Sequence, residues 1–319
     1  MLISILLLLA GLLLIVFGAE WLVDGASAIA RKLKISEFVI GLTIVGFGTS
    51  CPELVVSVTG AIKGISDISI GNVIGSNIFN TLLILGLTAI ILPISVTREN
   101  RRRDIPITLL VTFLLLACGM SYTLAGIGQS DGLSRAEGIV FLVLFAFYIY
   151  YCFKTDNGTQ EESENTAEIS TLKAICLTIA GLAGLVFGGR WFVDSAVDIA
   201  YRIGVSDKFI AITLLAGGTS MPELAACVVA AIRKKGQLAL GNILGSNIFN
   251  ILLILGTSAT IRPISFSGID IIDMLALVIS VVLVWMSSYT FKKDMVDRYE
   301  GVIFLLAFIA YYVWLFIKL

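Results

Sequence analysis

The sequence contains no histidine, and only 14% of its 319 residues are charged. Without histidine it lacks the usual zinc ligand and the usual general base at neutral pH. The five cysteines show no CxxC spacing, which is typical of small apolar residues rather than of a disulfide framework. HExxH and Walker A motifs are absent, and the net charge is −1. The sequence therefore predicts neither an enzyme nor an ATP-driven pump, and it indicates no cofactor, nucleic-acid partner or protein partner.

Apolar side chains make up 58% of the chain, so most of it has a lipid bilayer as its solvent. We expect an all-α integral membrane protein, because a span needs about 20 apolar residues and the chain supplies ten such stretches. The predicted transmembrane helices lie at about 2–23, 37–62, 69–92, 105–124, 136–153, 171–193, 207–232, 238–261, 269–290 and 299–317.

A long polar motif occurs twice at an offset of 170 residues. The first copy reads GFGTSCPE at 46–53 and GNVIGSNIFN at 71–80, and the second reads AGGTSMPE at 216–223 and GNILGSNIFN at 241–250. Further matches at the same offset, and at an offset of 163 near the ends of the copies, indicate a duplication. The sequence thus predicts a first five-helix repeat at 1–153 (motif 46–80), a cytoplasmic acidic linker at 154–170, and a second five-helix repeat at 171–319 (motif 216–250).

Five spans per copy is an odd number, so the second copy enters the membrane from the opposite side and the repeat is inverted. If the N-terminus is outside, the inner loops hold 15 of the 22 Lys and Arg residues, as the positive-inside rule requires. We therefore expect a multi-pass protein of the cell (inner) membrane with both termini outside the cytoplasm. The linker is expected to be a solvated connector; regulatory calcium binding is the alternative, although EF-hand spacing is absent.

Each copy of the motif places a proline and a glutamate inside apolar, membrane-length sequence. Pro52 and Pro222 are expected to break or kink their helices and to free main-chain carbonyls. Glu53 and Glu223 follow directly, and a carboxylate at membrane depth costs about 3 kcal/mol or more, so it indicates a functional site.

Hydroxyl and amide groups accompany the two glutamates. Each copy has a threonine one helical turn before its glutamate, and the next span carries a polar stripe at i, i+4 and i+8. These residues are Thr49, Asn72, Ser76 and Asn80 in the first copy and Thr219, Asn242, Ser246 and Asn250 in the second. We expect Asn72, Asn77, Asn242 and Asn247 to hydrogen-bond between helices, and the glycines at 71, 75, 241 and 245 to serve helix packing.

The oxygens of these groups suit a hard cation. Calcium takes six to eight oxygen ligands, and two carboxylates neutralise one divalent ion. The motifs contain no imidazole and a single thiol, Cys51, so zinc, copper and iron fit poorly, and magnesium sheds its water reluctantly. The residues themselves predict a cation site where the two copies meet.

The two motifs closely resemble the alpha-repeats of the sodium/calcium exchanger family, within the calcium:cation antiporter superfamily, and the resemblance covers the whole chain. It implies ten helices in two inverted halves and four sites that bind one calcium or several sodium ions alternately. It also implies that the first and sixth spans slide as gate helices. By this resemblance Glu53 and Glu223 would be shared ligands of both ions, and Thr49 and Thr219 would give carbonyl oxygens. Sodium or water would be served by Ser50, Ser76, Asn80, Ser220, Ser246 and Ala216.

One position departs from the family's pattern. Well-studied exchangers commonly carry an aspartate where this chain has Asn250, so the site holds a charge of −2 rather than −3. Three sodium ions would then leave an excess of positive charge, which leaves the stoichiometry and the counter-ion open. Sodium-driven export of calcium is the first hypothesis; proton/calcium exchange, a potassium-assisted exchanger and a cation channel are the alternatives.

Overall fold

The computed structural model describes residues 1–128, 130–156, 170–204, 216–290 and 294–318. Helices make up most of these residues, and a π-helical turn at Asn100–Asp104 precedes the helix that begins at Ile105. In chain order they are α1 (Leu2–Leu33), α2 (Glu37–Thr49), α3 (Cys51–Lys63), α4 (Ser66–Ile91), α5 (Ile105–Gly119), α6 (Ser121–Ala125), α7 (Arg135–Thr155), α8 (Thr171–Arg202), α9 (Ala216–Gly218), α10 (Met221–Ile232), α11 (Gly236–Ile261), α12 (Ile271–Ser287) and α13 (Arg298–Lys318).

Within the described residues, six single helices are long and apolar enough to cross a membrane: α1, α4, α7, α8, α11 and α13. A seventh candidate is the pair α2 and α3, which bend by 49° at their junction. Helices α10 and α12 are apolar but shorter, and most of the predicted linker and the start of the predicted seventh span lie outside the described residues. The count of ten spans therefore stays a prediction.

Helices α4 and α11 form the centre of the molecule. In the apolar 18-residue stretch of each helix, 94% of the residues of α11 and 72% of those of α4 are buried. The corresponding shares are 17% in α13 and 22% in α7. These two central helices carry the predicted polar stripes, so the stripes lie in the protein interior rather than against lipid.

Helices α1 and α8 pack against each other along their length with glycines at the contact. A Cβ atom on Gly11 would lie 2.7 Å from the amide nitrogen of Phe192, and one on Gly18 would lie 2.8 Å from that of Leu185. A Cβ on Gly25 would lie 2.7 Å from the amide nitrogen of Thr178. Because the contact positions rise along α1 as they fall along α8, the two helices are antiparallel.

The two halves of the chain are also joined by two short antiparallel strand pairs. β1 (Ile94–Ser95) pairs with β4 (Met295–Val296), and β2 (Gly132–Leu133) pairs with β3 (Ile264–Ser265). Each pair takes one strand from each half, at positions related by the offsets of 170 and 163.

Glycine and phenylalanine contacts also join the two halves in pairs at positions related by the repeat. A Cβ on Gly86 would meet the carbonyl oxygen of Gly301 at 3.0 Å, and one on Gly138 would meet that of Gly256 at 2.8 Å. The rings of Phe79 and Phe308 stack edge to face at 5.7 Å, as do those of Phe145 and Phe249 at 4.8 Å. Thus α13 packs on α4, and α7 packs on α11.

Candidate cation site

The predicted breaks in the helices place the two glutamates. Helix α2 ends at Thr49, Ser50 forms the bend, and α3 begins at Cys51 with Pro52 in its first turn. The expected kink at Pro52 is therefore confirmed. Glu53 lies in the first turn of α3 and is fully buried. The unpaired N–H groups at a helix N-terminus favour a negative charge at this position.

The second copy has the same local arrangement. Ser220 precedes α10, Pro222 lies in its first turn, and Glu223 is fully buried there. Residues 205–215, which would precede the second break, and the side chain of Ala216 lie outside the described part of the chain.

Serines from both copies surround the carboxylates. The Ser50 hydroxyl donates to Oε1 of Glu223 at 2.9 Å, and the Ser220 hydroxyl donates to Oε1 of Glu53 at 3.0 Å. From the central helices, Ser76 donates to Glu53 and Ser246 donates to Glu223, each at 3.4 Å. Each glutamate thus receives one serine from its own half and one from the other half, so a single cluster contains both carboxylates.

The threonines contact the asparagines of the opposite central helix. Thr49 donates to Oδ1 of Asn242 at 3.2 Å, and Thr219 donates to Oδ1 of Asn72 at 3.3 Å. Asn72 in turn donates to the main-chain carbonyl of Glu53 at 3.3 Å. The expectation that these asparagines bond between helices is confirmed.

Asn80 and Asn250 lie where the two central helices widen into π-helical turns, at Phe79–Ile84 and Phe249–Leu255. Such turns are frequent at functional sites because they re-aim side chains within an otherwise regular helix. Asn80 donates to Oδ1 of Asn247 at 3.4 Å, and Asn250 donates to Oδ1 of Asn77 at 2.8 Å. The amide nitrogens of Asn80 and Asn250 therefore donate to these neighbouring amides, and their amide oxygens point away from them.

Four buried oxygens of this cluster accept no hydrogen bond from the described residues: Oε2 of Glu53, Oε2 of Glu223, Oδ1 of Asn80 and Oδ1 of Asn250. Buried acceptors normally have partners, because an unsatisfied one costs about 1–3 kcal/mol. Two carboxylate and two amide oxygens are hard ligands, and they form two pairs related by the offset of 170 residues. Hard cations such as calcium fit this donor set.

In the described part of the chain, no three Cys, Asp or Glu side chains come together to hold a metal ion. The cluster therefore offers two carboxylates, with hydroxyl and amide groups around them.

Sequence reasoning missed the role of the residues behind the site. Asn77, Asn247 and Thr81 orient the amides of Asn80 and Asn250. Asn77 and Asn247 were expected to hydrogen-bond between helices, and this is confirmed. The packing role expected of the glycines can be checked only in the second copy. There, Gly241 and Gly245 contact the main chain of α2; the segment that the repeat would place against Gly71 and Gly75 lies outside the described residues.

The helical architecture is that of a multi-pass membrane protein with a cluster of buried oxygens at its centre. The sequence profile described as "Sodium/calcium exchanger protein" matches residues 3–154 and 173–317. The chain belongs to this family, whose members are cation/calcium antiporters, transporters rather than enzymes.

Relatives and a solved structure agree with this assignment. The chain is 40% identical over 331 residues to CaxA of Alkalimonas amylolytica, covering 99% of each chain. It is 33% identical to the sodium/calcium exchanger MaX1 of Methanosarcina acetivorans, covering 98% of this chain and 99% of MaX1. The structure of the sodium-calcium exchanger NCX_Mj soaked with 10 mM Na⁺ and zero Ca²⁺ matches with a TM-score of 0.84 and 35% identity over 97% of both chains.

Proposed function

We propose that this protein exchanges sodium for calcium by alternating access and exports calcium with the energy of the sodium gradient. The observation that carries the proposal is the set of four unpaired, buried oxygens on two glutamates and two asparagines. An oxygen cage of this kind at the centre of a membrane protein requires a cation to satisfy it, and calcium and sodium share its preference for hard ligands. The relatives named as sodium/calcium exchangers support sodium as the counter-ion.

The buried cluster supports the following set of ligands. Glu53 and Glu223 are the shared ligands of both ions, and Asn80 and Asn250 contribute amide oxygens. The remaining contributions come from the carbonyls of Thr49, Thr219 and Ala216 and from the hydroxyls of Ser50, Ser76, Ser220 and Ser246.

The architecture of the proposal is ten transmembrane helices in two inverted repeats, 1–153 and 171–319, joined by a cytoplasmic linker at 154–170. The antiparallel packing of α1 on α8 supports the inversion, because these helices occupy equivalent places in the two copies. The exchanged strand pairs and the exchanged glycine contacts support a two-fold axis in the membrane plane. Both termini then lie outside the cytoplasm, and the protein resides in the cell membrane.

Exchange follows from the charge of the site. With no ion bound, the site holds two uncompensated carboxylates in a low-dielectric interior. Closing the site to both sides of the membrane, as a change of access requires, is then costly. A bound cation removes that cost, so the protein changes its access only when occupied. Calcium and sodium compete for the same oxygens, and one replaces the other on opposite sides.

The test is calcium flux into vesicles that contain the purified protein, driven by an imposed sodium gradient or by an imposed proton gradient. We expect sodium to drive uptake against a calcium gradient, a result that a channel cannot give. Glu53→Gln and Glu223→Gln should each abolish uptake, because either change removes half of the charge that balances calcium. Lys63→Gln, on an exposed residue at the end of α3, is the matched control and should transport normally.

Two results would count against the proposal. Uptake driven by protons and indifferent to sodium would remove sodium as the counter-ion. Substantial transport by both glutamine variants would remove the two glutamates as ligands.

A further inference from the structure

A stack of three aromatic rings lies beside the first helix break. Phe145 on α7 meets Phe249 on α11 edge to face at 4.8 Å, and the ring of Phe47 on α2 lies 5.9 Å from that of Phe249. Among the described residues, no space that a water molecule could enter remains where Phe47 and Phe249 meet Leu253. The ring of Phe47 therefore fills this place, and it ties the end of α2 to the central helix α11.

The second helix break has the same stack with one ring missing. Phe79 on α4 and Phe308 on α13, which the repeat relates to the first pair of rings, meet edge to face at 5.7 Å. At the offset of 170 residues, however, the equivalent of Phe47 is Gly217. A Cβ atom on Gly217 would lie 3.2 Å from the ring of Phe79, so position 217 faces that ring. The second copy thus lacks a side chain where the first copy has its third ring.

A groove with a volume of about 410 Å³ opens beside the missing ring, and we call it the α4–α13 groove. Its eight lining side chains are all aliphatic or aromatic: Phe79 and Leu83 lie on α4, and the other six lie on α13 from Phe308 to Ile317. Phe79 and Leu83 are the repeat equivalents of the two residues that Phe47 covers in the first stack. The six residues on α13 recur at about one helical turn, so they form a stripe about 14 Å long.

The α4–α13 groove faces the lipid. Ile309, Val313 and Ile317 on its rim are each more than half exposed, whereas Phe79 at its floor is only 8% exposed. A stripe of about 14 Å corresponds to about half of the 30 Å hydrocarbon core, which is the depth of one leaflet. Walls of this kind offer few hydrogen bonds to a polar ligand, so an extended hydrocarbon chain is the occupant that they suit.

We propose that one acyl chain of a bilayer phospholipid binds in the α4–α13 groove and replaces, in the second copy, the ring that Phe47 supplies in the first. The chain packs on Phe79 and reaches the main chain of α9 at Gly217. Ala216 and Thr219, whose carbonyls belong to the proposed ligand set, lie within two residues of Gly217. The acyl chain therefore braces the second break, and the calcium affinity depends on it; this last step rests on the proposed function of the site.

Occupancy is tested by photolabelling in vesicles of phosphatidylcholine that carries a diazirine on one acyl chain, with the labelled residues mapped by mass spectrometry. We expect label on Phe79 and Leu83, although Phe79 is nearly buried. Gly217→Phe restores the third ring and should reduce the label on both residues to below about a tenth, because the ring takes the apolar surface that the chain would cover. Val302 and Leu306, which are exposed on α13 outside the groove, should stay labelled.

A second variant keeps the test open if Gly217→Phe folds poorly. Val313→Trp fills the α4–α13 groove from its other wall and should also remove the label from Phe79. Val302→Trp makes the same change on the same helix outside the groove, and it should leave the label on Phe79 unchanged.

Three results would overturn the binding of an acyl chain. The first is an unlabelled Phe79 in the unchanged protein, and the second is equal labelling of Phe79 in the unchanged protein and in the variants that fill the groove. The third is labelling that falls as the ratio of protein to lipid rises, since this would identify a second copy of the chain as the occupant.

The effect on the ion site is measured as the half-saturating calcium concentration for calcium-for-calcium exchange, in vesicles of dioleoyl or of diphytanoyl phosphatidylcholine. The methyl branches of the phytanoyl chain make it too wide for a groove that suits an extended chain. The unchanged protein and Val302→Trp should need about three- to tenfold more calcium in the branched lipid, because the second break is then no longer held in place. Gly217→Phe, which carries its own brace, should respond to calcium alike in the two lipids. An equal response of Gly217→Phe and the unchanged protein to the change of lipid would overturn the bracing role.

The two measurements separate this inference from the proposed function. Photolabelling requires no transport, so its failure removes the acyl chain and leaves sodium-driven calcium export untouched. If sodium drives no calcium flux, the proposed counter-ion is lost, whereas labelling of the groove and its dependence on position 217 are unaffected.

Discussion

The close approach of α2 to α11 makes Gly245→Ala an informative perturbation. A Cβ atom at this position would lie 2.3 Å from the main-chain oxygen of Leu42 and 2.7 Å from its Cα. Both atoms belong to the backbone, so no side chain can rotate away. Ordinary contact begins near 3.4 Å, and α2 must therefore retreat by about 1 Å.

The retreat is transmitted to the site because α2 leads directly into Ser50. A shift of about 1 Å would take its hydroxyl from 2.9 Å out of hydrogen-bonding range of Glu223. Overpacking of this kind costs about 1–3 kcal/mol of stability. The loss of ligand geometry should lower the apparent affinity for calcium by about 10- to 100-fold.

The assay combines thermal stability in detergent with calcium titration of sodium-driven flux. Gly236→Ala is the matched control, since Gly236 lies on the same helix and a Cβ there would come no nearer than 3.7 Å to a neighbouring described atom, which is ordinary contact. We expect Gly245→Ala to lower both the melting temperature and the calcium affinity, and Gly236→Ala to lower neither. Equal behaviour of the two variants would refute the reasoning from backbone contact.

Two further predictions follow from contacts between the halves. Ser50→Ala and Ser220→Ala each remove a donor to a glutamate of the other half, so each should weaken calcium binding about tenfold, and the two effects should agree within about threefold in flux titrations. Gly18→Ala places a Cβ 2.8 Å from the amide nitrogen of Leu185 and should slow turnover at saturating calcium more than it changes affinity, if α1 slides along α8; a rise in KM alone would contradict sliding.

Several features of the site could be predicted from the sequence, because the duplicated motif showed where to look for them. The kink at Pro52 is confirmed, since proline removes a donor wherever it stands in a helix. The burial of Glu53 and Glu223 followed from apolar neighbours on both sides in the sequence. Local chemistry and membrane-length periodicity were sufficient for these features.

The hydrogen-bond partners of the hydroxyl and amide groups could not be predicted from the sequence. Ser50 is three residues from Glu53 in sequence, yet it donates to Glu223 in the other half. The π-helical turns that carry Asn80 and Asn250 leave no local pattern in an apolar run. Both depend on how closely two helices approach, which the packing of the whole interior decides.

The contacts exchanged between the two halves have a consequence for the synthesis and membrane insertion of the protein. Gly86 on α4 packs against Gly301 on α13, and Gly138 on α7 packs against Gly256 on α11. During synthesis, these two surfaces of the first half are therefore uncovered until the second half has been made. Until the last helix is inserted, lipid must stand in for the missing partner. Assembly is therefore a property of the finished polypeptide, and truncation anywhere before α13 should leave a chain that the cell's quality control removes.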